Sequence, residues 1–366
     1  MNGPTVWWPL PVAPERWFTE EERAVASSYH RPIERAAFWS SAAQLVGLLV
    51  VLGVSRSIDV GTAAVVAAIS VAVAVPRMAA DGWREFVHEP SFGRHPVSVG
   101  AFAFTTAGRI VLEVAALAVV ALWIDRATAS LTDIVIPAVL AFVVPVVSAV
   151  IGPRFVLATH RAIDVPADGV AAHQVQQLAA AHRVEAPRAV VLDPVTFEGA
   201  NAFATGTGSR VTVAVSRRLL DGPPELFGHV VSHELAHLRR RHLWWSAIAS
   251  GASLAVIVAV SSVITIAIDA DSAASRLPVF VVVAGAVSVP FRLALAWWSR
   301  ANERQADQDA LVLTSVRPAV VKQLHVSDQA AVEPSRAARF FGAHPAPAER
   351  LERIERFRTA APIDAN

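Results

Sequence analysis

Two histidines flank a glutamate in the stretch SHELAH, residues 232 to 237, directly before three arginines, two tryptophans and a long apolar run. On a helix, residues four apart share a face. His233 and His237 can therefore present two imidazoles to one ion, while Glu234 projects beside an open coordination position. H-E-x-x-H is the spacing of zinc hydrolases. Two neutral imidazoles leave the metal electrophilic enough to lower the pKa of a water towards roughly 7, and the glutamate can take the proton as that water attacks a carbonyl. A third protein ligand is still required. His229 stands one turn earlier, but three histidines on one straight helix cannot all reach one ion, because the outer pair is about 12 Å apart. His229 is read as a packing residue, and His242 as an interfacial side chain rather than a ligand.

The elements that must position these groups are mostly membrane spans. Of the 366 residues 54% are hydrophobic and 17% charged, and the mean hydropathy is +0.45, well outside the soluble range. Six segments approach the ~20 apolar residues that a bilayer core needs: 36–55, 60–76, 102–124, 134–151, 244–268 and 277–298. Arg16, Arg23, Arg31 and Arg35 precede the first span and Arg77, Arg84 and Arg94 follow the second, whereas the alternate loops carry only Arg56, Arg126 and Arg276. By the positive-inside rule, both termini and the 152–243 segment face the cytoplasm of a multi-pass protein of the cell (inner or plasma) membrane. Arg109 and Glu113, four apart inside the third span, are expected to pair with each other.

The expected organisation is a cytoplasmic segment 1–35, a four-span region 36–151, a first catalytic part 152–243, a two-span hairpin 244–298 and a second catalytic part 299–366. The fold class is a membrane α-helical bundle bearing an α+β zincin-like domain. In that domain a helix is expected over 167–183 and strands over 189–193 and 210–215. Pro223, Pro224 and Glu225 mark the start of the helix that carries the histidines. His237 lies about 10 Å of helix before Trp244, and Glu303 follows Trp298 by about 7.5 Å. Antiparallel helices thus bring His233, His237 and Glu303 to nearly the same depth.

The absence of cysteine excludes disulfides, thiolate nucleophiles and Cys-ligated metals. With 32 basic and 31 acidic residues, nothing in the charge points to a nucleic-acid partner. The first 35 residues have no early apolar core and do not read as a cleavable signal. There is no P-loop, dinucleotide fingerprint or G-x-S-x-G elbow. His88, His95, His160, His173, His182 and His325 are read as surface or loop residues.

Four blocks, NAFATG (201–206), SHELAH (232–237), SRANERQAD (299–307) and HPAPAER (344–350), together resemble the HtpX and CAAX prenyl protease family of integral-membrane zinc metallopeptidases, over roughly residues 155–355. The resemblance implies that His233, His237 and Glu303 bind one Zn2+ per chain and that Glu234 is the general base. It implies that Asp307 orients a ligand histidine, and that His344 stabilises the oxyanion, with Arg350 as its buried structural partner. Asn201, Ala202, Phe203 and Ala204 would form an edge strand for an extended substrate. His229 stands where the family usually has a small residue, and the four N-terminal spans exceed the two of HtpX.

The sequence thus points to a zinc metalloendopeptidase that cleaves membrane-associated, misfolded or lipid-modified proteins, with protein or peptide and the lipid bilayer as its partners. Cobalt or manganese would suit the same ligands, and the oligomeric state is left open. A sensor-type protease and a catalytically silent zinc-binding scaffold are the alternatives. Short outer loops disfavour the first, and an intact Glu234 the second.

Overall fold

A computed structural model of the chain describes residues 9–94, 97–126, 130–159, 162–166, 169–192, 201–206, 211–268, 272–327, 332 and 335–360. Helix α1 (Glu20–Ser57) is followed by α2 (Thr62–Trp83), which runs through a π-helical turn (Arg84–His88) into α3 (Glu89–Ser91). Then come α4 (Val99–Arg126), α5 (Leu131–Thr159), β1 (Ile163–Asp164), α6 (Val170–His182), β2 (Arg188–Leu192), β3 (Ala202–Thr205), β4 (Thr212–Ser216) and α7 (Arg217–Leu220). The chain continues with α8 (Pro224–Arg239), α9 (His242–Ala267), α10 (Ala273–Leu313), α11 (Pro318–Ser327), α12 (Arg336–Phe341) and α13 (Pro347–Ala360).

Among the described residues, six helices are long and apolar enough to cross a membrane: α1, α2 with its extension, α4, α5, α9 and α10. Each of the six expected spans falls on one of them. Their outward side chains, such as Phe104, Leu112 and Val139, are exposed on the protein. Hydrocarbon is the solvent that suits such surfaces, since a helix already satisfies its own backbone.

The chain divides into two compact units, one of them Tyr29–Phe142 with Ala252–Phe291. Its core gathers Val65, Ile69, Ala121, Ile124, Leu277 and Phe280. The pairing expected between Arg109 and Glu113 does not form. Arg77 reaches Glu113 at 2.5 Å and Arg109 reaches Asp81 at 3.1 Å, so both pairs run between α2 and α4. The reason is geometric: α2 and α4 pack together, and the facing helix offers each charge an opposite partner closer than its neighbour along its own helix.

The other unit comprises Met1–Ser28, Val143–Gly251 and Arg292–Asn366. Its four strands run in the order β1-β2-β4-β3, with β2 and β4 parallel and the outer pairings antiparallel. Strand β3 therefore lies at an edge. The expected strands appear as β2 and β4 and the expected helix as α6, each with ends shifted by one to three residues. The β-branched Val190, Val213 and Val215 are buried in the sheet, the environment such side chains suit. Pro224 at the first turn and Glu225 beside it open α8 as expected. Leu226, Phe227, Val231 and Leu235 bury the apolar face of α8 in a core shared with Val175 and Ala179 of α6 and Leu351 of α13. Phe18 and Ala26 from the N-terminal stretch complete that core.

Candidate active site

Helix α8 places His233 and His237 on one face, their Nε2 atoms 3.1 Å apart. Glu303 of α10 approaches both, with Oε2 3.5 Å from His233 Nε2 and Oε1 3.5 Å from His237 Nε2. One ligand atom from each of the three residues lies within 4.8 Å of the others. Two imidazoles and a carboxylate, converging and largely buried, make a donor set suited to a tetrahedral zinc with one open position. His233 and Glu303 are only 7% and 8% exposed, and such a cluster of acceptors in a poorly solvated place is completed by a cation.

Asp307, one turn beyond Glu303, sets Oδ1 2.9 Å from His233 Nδ1. Arg350 of α13 grips that carboxylate, donating from Nε to Oδ2 at 3.0 Å and from Nη2 to Oδ1. Burial alone would push His233 down, but hydrogen bonding to Asp307 and Glu303 drives it up to about 10. Burial and the neighbouring His233 charge push His237 down to about 3.

Burial raises the Glu234 carboxyl above its ordinary range. Its Oε2 accepts the backbone N–H of Ala204 in β3 at 2.9 Å. Asn201 is fixed beside it: its N–H donates to Ser216 Oγ at 3.0 Å, and its own Oδ1 accepts the Ala202 N–H at 2.8 Å. Because Asn201 O accepts from Ser216 N across to β4, the alternation of an antiparallel strand turns the polar groups of Ala202 and Ala204 to the outer edge. A cavity of about 450 Å3 is lined by Asn201, Phe203, Glu234, Glu303, His344 and Arg350 among others. At its rim His344 Nδ1 lies 3.0 Å from Glu303 Oε2, with 70% of the side chain exposed. The hydrogen bond with Glu303 raises its pKa.

Arg300 Nη1 donates to the carbonyls of Phe340 and Gly342 at 3.2 and 2.6 Å, fastening the segment that leads to His344.

Several histidines are placed otherwise than their sequence reading. His88 and His182 are interior rather than surface residues, and His325 is half-buried. His88 bonds to Tyr29 O at 2.8 Å and stacks on Trp83. His182 is fully buried and meets Ser232 Oγ at 2.7 Å, linking α6 to α8. His325 lines the cavity, and burial lowers its pKa to about 3. His173 is exposed as expected, and His95 and His160 lie outside the described residues. His229 is buried against Thr314 Oγ1 at 3.2 Å, in line with a packing role. His242 is not merely interfacial: its Nδ1 stands 3.0 Å from His237 Nδ1 and its Nε2 3.3 Å from Gln305 Oε1. Nothing in the H-E-x-x-H pattern points to these two residues, because a break after α8, with Arg241 at φ 56°, turns His242 back onto the site.

Fold and site together define a membrane-embedded metallopeptidase: among the described residues, six long apolar helices, a small sheet ending in strand β3, and a His-His-Glu cluster beside a buried glutamate. Residues 168–358, just over half of the chain, match the family model described as Peptidase family M48. The chain belongs to that family. Among solved structures it is similar to the crystal structure of Ste24p from S. mikatae, with a TM-score of 0.74 and 16% sequence identity, over 95% of this chain and 92% of that chain. At that identity the likeness speaks for the fold. No curated protein matches the sequence.

Proposed function

We propose that the protein is a zinc-dependent endopeptidase of the cell membrane, its active site on the cytoplasmic side, which cleaves extended segments of membrane-associated, misfolded or lipid-modified proteins. The observation that carries this reading is the junction of two features in one cavity. The His233–His237–Glu303 cluster adjoins Glu234, and Glu234 is bonded to an edge strand.

When bound by these three residues, zinc supplies Lewis acidity, polarising a carbonyl and acidifying water. Glu234 accepts the proton of the attacking water and returns it to the leaving amine. The raised proton affinity that burial gives Glu234 suits a carboxylate that must hold a proton between the two steps. Asn201, Ala202, Phe203 and Ala204 receive the substrate as an added strand, whose main chain is recognised without regard to side-chain identity. His344, open to the cavity rim, donates to the developing oxyanion. Asp307, braced by Arg350, keeps His233 in the orientation that aims Nε2 at the metal.

The test compares the zinc-loaded wild type with Glu234→Gln on an unfolded protein substrate in detergent. A fall in kcat of about 10²–10⁴ with zinc content unchanged is expected for loss of a general acid–base group. Equal inertness of both proteins across several substrates, with zinc bound, would favour a silent zinc-binding scaffold instead.

A further inference from the structure

His237 differs from His233 in what stands behind it. His233 is backed by the Asp307 carboxylate at 2.9 Å, whereas His237 Nδ1 faces another imidazole, His242 Nδ1, at 3.0 Å. The two rings meet edge to face, centroids 5.0 Å apart and planes at 74°. His242 is 6% exposed, and its far nitrogen, Nε2, lies 3.3 Å from Gln305 Oε1. Gln305 sits on α10 between Glu303 and Asp307, so one helix supplies a candidate ligand and both outer supports.

The chemistry of this row dictates where its protons lie. An amide oxygen only accepts, and a neutral imidazole has one donor and one acceptor nitrogen. His242 therefore donates from Nε2 to Gln305 and accepts at Nδ1. His237 must then donate from Nδ1, which leaves its Nε2, the atom facing His233 and Glu303, bare for a cation. The opposite order, with the Gln305 amide donating, would put the proton on His237 Nε2 and close the site.

Resting on the metallopeptidase reading, we infer that His242 and Gln305 are positioning residues. They form a neutral relay that holds His237 in the tautomer able to bind metal. Their effect on the metal passes through the His237 ring. Because the relay carries no charge, it fixes the ring without the added negative charge that a second carboxylate would bring beside Glu303 and Asp307.

The experiment is a competitive zinc titration of the full chain in detergent against a chromophoric chelator, with the visible spectrum of the cobalt-loaded protein as a second readout. Wild type should bind one zinc. His242→Phe and Gln305→Leu, which keep the bulk and remove the hydrogen bonds, should weaken zinc binding about 10–100-fold and alter the cobalt bands. His242→Gln, which can still accept and donate, should stay within about threefold of wild type, and Gln305→Glu, which can only accept and adds a charge, should bind zinc at least as tightly as wild type, without that 10–100-fold loss. Unchanged zinc affinity in both His242→Phe and Gln305→Leu overturns the inference and leaves the metallopeptidase reading standing. Equal losses in His242→Phe and His242→Gln would reduce His242 to packing and likewise overturn it. A wild type that binds no zinc overturns both readings together. Should His242→Phe fail to fold, the Gln305 pair alone decides, since that side chain is only partly buried.

Discussion

The ion pair between Asp307 and Arg350 carries two burdens, because Asp307 also faces His233. Both side chains are largely withdrawn from water, and removing one partner leaves the other uncompensated. Arg350→Met should therefore cost about 3–5 kcal/mol of stability, read as a lowered urea midpoint. Asp307→Asn, which keeps the shape and loses the charge, should weaken zinc binding about 10–100-fold, read by chelator competition. Two other histidines set an acid limit. Burial holds His229 down at about 4 and His325 at about 3, against an ordinary 6.5. The unfolded chain then binds protons that the folded protein does not, so the contribution of these two residues to stability is full above about pH 6.5 and is lost as the pH falls towards 4. Metal-free protein should show a Tm that declines across this window. His325→Leu should decline less steeply; an identical slope would sink this account.

A hydrogen bond from Ala204 N–H to Glu234 joins strand β3 to helix α8. An edge strand tolerates proline where its N–H faces away from the sheet, so Ala204→Pro removes that donor and one edge position while leaving the pairing with β4 intact. A hydrogen bond to a charged acceptor is worth about 1.5–3 kcal/mol, so kcat/KM should fall about 10–100-fold with little change in Tm. A large loss of Tm would mean instead that β3 is a structural strand first. The same economy governs α10, whose 41 residues carry an apolar stretch and then Glu303 and Asp307 one turn apart on its polar end.

At the scale of the molecule, the absence of native cysteine offers a direct test of orientation. Asp59, exposed between α1 and α2, and Asp221, exposed before α8, can each be replaced by a lone Cys. With arginine retained on the inner side, a membrane-impermeant maleimide should label the Asp59→Cys protein in intact cells and the Asp221→Cys protein only after permeabilisation. The reverse pattern would move the proposed active site outside the cell and remove cytoplasmic proteins from its substrates.

What could be read without the fold is what depends on near neighbours in the chain. The six apolar stretches, the start of α8 at Pro224, the valine-rich β2 and β4, and the i, i+4 face shared by His233 and His237 each follow from periodicity or propensity over a few residues. Glu303 was reachable because tryptophans and helical rise fix depth on both sides of a hairpin. The burial of His88 and His182, the place of His325 in the cavity wall, the crossed ion pairs Arg77–Glu113 and Arg109–Asp81, and the row His237–His242–Gln305 were decided by tertiary structure alone. A histidine's type does not encode its solvent, and its partner is whichever group the packed elements bring within hydrogen-bonding distance, here as much as 85 residues away along the chain.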